Sequence, residues 1–187
     1  MTANLPTTTR AEIVSINPAT LEELARFPVA SAAEVDLAVS RARAAQPAWA
    51  ALSYRNRARY ILKVRRALYD RKEEIMRVIS DETGKPEFEA LSTEVFMVSD
   101  LMSHFAMNSE KALRDERFTL AVFRNKRSLI CYEPLGVVGV ISPWNFPFSI
   151  PVGEIVMALM SGNTVVLKPS EFTPLVGDAI KRLFDSA

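Results

Sequence analysis

A single cysteine, Cys131, in 187 residues cannot close an internal disulfide, so the fold must hold by burial, and a reducing, cytoplasmic setting is expected. A single histidine, His104, with no cysteine near it, offers no metal set of ordinary spacing, and no metal is expected. The net charge of +1 removes the electrostatic case for nucleic acid or an anionic membrane surface. The run of arginines and lysines between residues 55 and 72 therefore reads as a solvated helix face. No apolar run approaches the length of a bilayer span, and the opening Met-Thr-Ala-Asn-Leu-Pro lacks the basic and apolar regions of a signal peptide. The G-x-G-x-x-G fingerprint, a P-loop, internal repeats and low-complexity linkers are all missing.

What is present is enough apolar material for a core, 49% of the chain, and one unusual stretch, Pro134-Leu-Gly-Val-Val-Gly-Val-Ile-Ser-Pro-Trp-Asn-Phe-Pro147. Val137–Ile141 is a short apolar run rich in β-branched residues, as in a parallel strand buried on both faces. Pro143 and Pro147 lack the N–H of a ladder and force extended geometry on the residues before them. Trp144 and Asn145 are thereby expected in a stiff loop at the carboxyl end of a strand, the edge where open α/β sheets bind ligands. A helix from Pro151 to Met160 ended by Gly162, a second strand Thr164–Leu167, the Lys168–Glu171 loop and a helix opened by Thr173-Pro174 complete a βαβα pattern. Parallel strands share one carboxyl edge, so Asn145 and the Lys168–Glu171 loop are expected on the same rim.

Upstream, residues 1–10 read as a loose tail. Glu12–Ile16 and Leu24–Val29 form a candidate hairpin about the turn signal Asn17-Pro-Ala-Thr20. Ser31-Ala-Ala-Glu34 is a capping box opening a helix that should end before Pro47. Ser53 caps a long helix predicted to reach Thr83, with Ile61, Leu62, Leu68, Ile75, Met76 and Ile79 as its stripe and Gly84 and Pro86 as its stop. A third helix, from Glu87 to Leu113, turns Leu91, Val95, Val98, Leu101, Met102 and Phe105 inward and carries His104 as an ordinary residue. Residues 114–125 read as charged and irregular, and Lys126–Tyr132 as a strand. From pattern alone, Asn145 reads equally as a site residue or a prop for its turn, and Lys168 with Glu171 as a site or an exposed ion pair.

Particular words in the sequence shift that balance. Pro143-Trp-Asn-Phe-Pro147, Ser161-Gly-Asn163 and Thr164-Val-Val-Leu-Lys-Pro-Ser-Glu171 before Thr173-Pro174 closely resemble the aldehyde dehydrogenase superfamily. Asn17-Pro-Ala-Thr20, Ala48-Trp-Ala50 and Glu82-Thr-Gly-Lys-Pro86 extend the resemblance over nearly the whole chain in the family's order. It implies an α/β fold: an N-terminal hairpin and helices (residues 11–125) belonging to the cofactor-binding domain, a strand of an oligomerisation sheet (126–133), and the first βαβα of a Rossmann-like sheet (134–187).

The resemblance also implies roles. Asn145 matches the residue whose side-chain amide donates to the oxyanion of a thiohemiacetal. Ile141, Ser142, Pro143 and Trp144 match the lining of the cofactor groove, and Lys168, Ser170 and Glu171 match the site of the adenosine ribose. A carboxylate at Glu171 accepts ribose hydroxyls and repels a 2′-phosphate, which favours NAD, whereas Lys168 would welcome that phosphate and leaves NADP open. The implied activity is NAD(P)-dependent oxidation of a small-molecule aldehyde to a carboxylic acid in a homodimer or homotetramer. A coenzyme A-acylating relative and a non-catalytic nucleotide-binding piece stay open beside it. The family's cysteine nucleophile, its general-base glutamate and its Gly-containing helix start beneath the pyrophosphate all fall later in the family order than residue 187. The chain therefore reads as an N-terminal piece cut before its chemistry is complete. Cys131 precedes the core strand and is expected to be structural, in an apolar strand that raises its thiol pKa.

Overall fold

The computed structural model describes residues 10–122 and 125–187. Of the tail expected at 1–10 only Arg10 lies among them, and it is tied down: its guanidinium meets Glu34 at 2.5 Å and donates to the Val29 carbonyl at 2.9 Å. Strands β1 (Glu12–Ile16) and β2 (Glu23–Pro28) pair antiparallel with a bulge at Ser15/Ile16. The Asn17 side chain fixes the turn by accepting from the backbone of Ala19 (2.9 Å) and Thr20 (3.2 Å).

Helix α1 (Ala32–Ala50) opens on the expected capping box, with the Ser31 and Glu34 side chains satisfying each other's backbone. It does not end before Pro47. Three tertiary bonds around the proline hold the last turns: Gln46 donates to the Gly162 carbonyl (3.2 Å), Trp49 to that of Leu159 (2.9 Å), and Thr164 to that of Ala42 (2.9 Å). Together they offset an interior proline's cost of about 3 kcal/mol. The long helix expected from Ser53 is two helices, α2 (Tyr54–Asp70) and α3 (Lys72–Thr83), broken at Arg71 (φ −114°, ψ 15°). There the Arg71 side chain forks onto Glu74 at 2.8 and 2.9 Å, in the first turn of the second helix. Ile61, Leu68, Ile75 and Ile79 are buried as expected, but Leu62 is exposed and Val64 fills the stripe in its place.

The third helix is one rod of three geometries: α4 (Glu87–Glu89), a π-helical stretch (Ala90–Phe96) and α5 (Met97–Ala112). The wider turn of the π stretch brings neighbouring Glu94 and Val95 both into the interior. His104 lies on the exposed face of α5, edge-on to Phe105, and no group of metal-ligating side chains forms among the described residues. Part of the segment expected to be irregular is strand: β3 (Glu116–Phe118) pairs antiparallel with β4 (Ser128–Ile130), which is shorter than the expected Lys126–Tyr132. Pairing supplies the order that the charged sequence hides, and the Tyr132 hydroxyl donates to Glu116 across it at 3.0 Å. Cys131 is not buried in a strand but exposed beyond β4. Partial desolvation, then the charges of Asp115 and Glu133, push its thiol up.

The remaining elements are β5 (Val137–Ile141), α6 (Ser149–Met160), β6 (Thr164–Lys168) and α7 (Pro174–Asp185), with β5 and β6 parallel. The two strands are not buried on both faces. Only Val140 is fully covered, because two strands alone leave both sheet edges open among the described residues. The core lies instead where α2, α3, α5, α6 and α7 meet, around Ile61, Leu68, Ile79, Met102, Phe148 and Leu183. No helix among the described residues is long and apolar enough to cross a membrane.

Thr173 occupies the N-cap position of α7 without capping it, and its hydroxyl is buried with no partner among the described residues. The cap comes from another helix. Buried Glu82, near the end of α3, accepts the N–H groups of Leu175 (2.9 Å) and Val176 (2.8 Å) and the hydroxyl of Ser15 (2.5 Å). Pro174 has no N–H, so these two amides are the first orphan donors of the helix. Burial pushes the Glu82 carboxyl up, against the pull of the three donated bonds. Glu82→Ala strands all three donors and is expected to lower stability by about 2–3 kcal/mol, read by denaturant unfolding. A loss within the range of ordinary surface substitutions contradicts this capping role.

Candidate active site

The register of β5 and β6 builds the rim. Val137 faces Thr164 and Ile141 faces Lys168, so the strands end level, and the Ser142 N–H donates to the Lys168 carbonyl (3.1 Å) as one last rung. The loop of Ser142–Phe148 and the loop of Pro169–Thr173 therefore leave the sheet side by side at its carboxyl edge. At the opposite end, the side-chain amide oxygen of Asn163 accepts the Gly136 N–H (2.9 Å), fixing where β5 begins.

The first loop leaves its tip outward. Ile141 and Trp144 are 78% and 59% exposed, and Pro143 and Asn145 are also at the surface, while Ser142 and Pro147 are buried. The side-chain amide of Asn145 bonds to no described residue; only its backbone carbonyl does. That carbonyl accepts from the Lys85 ammonium at 2.7 Å, and the same ammonium lies 4.1 Å from the centre of the Phe146 ring. Lys85 is paired with Glu94 at 2.5 Å, and the other oxygen of Glu94 accepts the N–H groups of Phe148 (2.8 Å) and Ser149 (3.2 Å), where α6 begins. A carboxylate there also complements the positive end of the helix.

In the second loop, Lys168 and Glu171 form an exposed pair at 3.0 Å. A backbone N–H, then the Lys168 ammonium, holds the Glu171 carboxyl below its usual range. Ser170 is buried, and its hydroxyl oxygen accepts the Phe172 N–H (3.2 Å) in a local turn. The loop lies close on α7: a Cβ at Gly177 would stand 2.5 Å from Cβ of Pro169, so only glycine admits this approach. Of the residues singled out in the sequence, Trp144, Asn145, Lys168 and Glu171 come together on one rim, the Asn145 amide with no described partner and Lys168 and Glu171 paired with each other. Ser142 and Ser170 turn into the fold beneath it.

Lys85 and Glu94 were not among the residues the sequence singled out. The available signal was Glu94 itself, a lone carboxylate between Leu91 and Val98 on an otherwise apolar helix stripe. Glu82 carries the same signal, following Ile75 and Ile79 on theirs.

Comparison with known proteins agrees with this architecture. The aldehyde dehydrogenase family model matches residues 5–187. N-succinylglutamate 5-semialdehyde dehydrogenase of Chromobacterium violaceum is 40% identical over 171 residues, 91% of this chain and 34% of the relative. Among solved structures, an NADP dependent enzyme of E. coli superposes with a TM-score of 0.87 at 30% identity, covering 94% of this chain and 36% of that one. PnpE in complex with nicotinamide adenine dinucleotide superposes at 0.86 with 32% identity, covering 94% and 35%. The chain thus spans about a third of the length of each relative. With a family model matched from residue 5 to residue 187, on the fold just described, the chain belongs to the aldehyde dehydrogenase family.

Proposed function

We propose that this chain carries the oxyanion donor and the ribose end of the cofactor site of an NAD(P)-dependent aldehyde dehydrogenase, which oxidises an aldehyde to a carboxylic acid. The observation that carries the reading is the Ile141–Lys168 register, which sets the unpartnered amide of Asn145 and the Lys168–Glu171 pair on one rim. When bound, the nicotinamide nucleotide supplies the hydride acceptor. Glu171 is suited to accept both hydroxyls of an adenosine ribose, and Lys168 to donate to one of them. Trp144 and Ile141 offer an apolar wall next to them, braced by Ser142 and Pro143. Asn145 is suited to donate to oxygen as negative charge grows on it, and, being neutral, it does so without titrating near pH 7.

NAD is the favoured nucleotide, because a carboxylate such as Glu171 accepts ribose hydroxyls and repels a 2′-phosphate, while Lys168 leaves NADP open. The exposed β3–β4 strand pair, bearing Phe118, Leu129 and Ile130, is the proposed contact of a homodimer or homotetramer in the cytoplasm. The test is a chimaera in which residues 1–187 replace the matching third of the Chromobacterium relative, assayed first with N-succinylglutamate 5-semialdehyde. Aldehyde-dependent NADH formation is expected, with a higher kcat/KM for NAD than for NADP. Glu171→Gln should narrow that preference by about tenfold, the worth of one charged contact. A folded chimaera that reduces neither nucleotide contradicts the reading.

A further inference from the structure

Two charged side chains from outside the rim grip the second half of the Asn145 loop and the start of α6. Glu94 is wholly buried and Lys85 is 14% exposed at its side chain. Between them they engage four of five consecutive residues: the carbonyl of Asn145, the ring of Phe146, and the amides of Phe148 and Ser149. Placing a carboxylate in an apolar core is costly unless it is paired and bonded, and every oxygen of Glu94 is. The π-helical stretch is what turns Glu94 inward beside Val95. π-Bulges are rare and concentrate at functional sites. A hydrophobic pair would fill the same space with less electrostatic cost, but it would leave the Asn145 carbonyl and two helix amides without partners.

We propose that Lys85 and Glu94 are positioning residues, a buried ion pair that fixes the backbone of Asn145 and the start of α6 so that the Asn145 amide points at the reacting oxygen. This rests on the oxyanion role assigned above. Lys85 holds the carbonyl of Asn145 itself, and Glu94 holds both the Lys85 ammonium and the helix that follows. Neither side chain touches substrate. The loop's two prolines limit its conformations, and the ion pair selects one of them.

The chimaera tests this with two readouts. Lys85→Met is expected to lower kcat of the folded enzyme for the aldehyde by about a hundredfold, the scale of a one-ångström misplacement, with NAD affinity little changed and Tm lowered because buried Glu94 loses its cation. Lys85→Arg, which keeps the charge and its donors, should recover part of the loss. In an Asn145→Ala background Lys85→Met should cost nothing further, since it acts only through that side chain. An equal loss in both backgrounds, or none in the parent, overturns the proposal. The second readout is independent of turnover: Glu94→Gln should speed hydrogen exchange at the Phe148 and Ser149 amides while the Leu175 and Val176 amides, capped by Glu82, stay protected. Unchanged exchange at Phe148 and Ser149, or loss of protection at both helix starts together, overturns it. Should Asn145→Ala alone leave kcat unchanged, the oxyanion role fails, and exchange at Phe148 and Ser149 still decides whether the ion pair fixes the loop.

Discussion

Replacing Asn145 by alanine in the chimaera is expected to lower kcat/KM for the aldehyde by about a hundred- to a thousandfold, the usual loss for one oxyanion donor. The expectation starts from position. Pro143 and Pro147 bound the loop, Lys85 holds its carbonyl, and the side-chain amide is left exposed at the carboxyl edge of β5 with no described partner. It continues with chemistry, because such an amide interacts more strongly with an alkoxide-like oxygen than with a ground-state carbonyl, and only that difference speeds turnover. NAD affinity should hold, since the proposed ribose site is at Lys168 and Glu171. Asn145→Asp should be worse, setting a negative charge against the developing one. If Asn145 only propped its loop, both variants would lose Tm and cofactor affinity along with turnover. Kinetics and melting measured on the same samples separate the two cases.

The 187-residue chain by itself is expected to oxidise no aldehyde. Its only thiol, Cys131, stands exposed beyond β4 with its pKa raised by desolvation and by Asp115 and Glu133, the opposite of an activated nucleophile. Asn145 can stabilise an oxyanion but cannot create one. Among the described residues, both edges of the two-stranded β5–β6 sheet are also without a strand partner. NADH formation by the purified chain, surviving Cys131→Ala, would contradict the assignment of the nucleophile to the family's downstream part. NADH formation abolished by Cys131→Ala would make Cys131 the nucleophile.

The sequence made the βαβα unit legible because its signals are local. β-Branched runs bounded by Gly and Pro marked β5 and β6 to within a residue, and the parallel register that joins Asn145 to the Lys168–Glu171 loop follows from two strands of equal length. The capping box at Ser31 was equally plain. What stayed hidden depends on contacts between distant residues. Pro47 is tolerated inside α1 because Gln46, Trp49 and Thr164 bind across to the α6–β6 junction, and no local rule contains those partners. The break at Arg71 and the π stretch at Ala90–Phe96 both look like uninterrupted helix in periodicity. Thr173 followed by Pro174 is a good local cap signal, yet Glu82 from α3 does the capping. Glu94 does the same for α6. Both carboxylates sat in plain sight on apolar stripes, where an unneutralised charge asks for a partner.

The most direct test of the central claim is a structure of the chimaera with NAD bound. The account predicts the adenosine ribose hydroxyls within hydrogen-bond distance of Glu171 and Lys168, Trp144 against the nucleotide, and the Asn145 amide free on the nicotinamide side. A nucleotide seated away from the Ile141–Lys168 rim, or an Asn145 amide turned away from the nicotinamide, would contradict it.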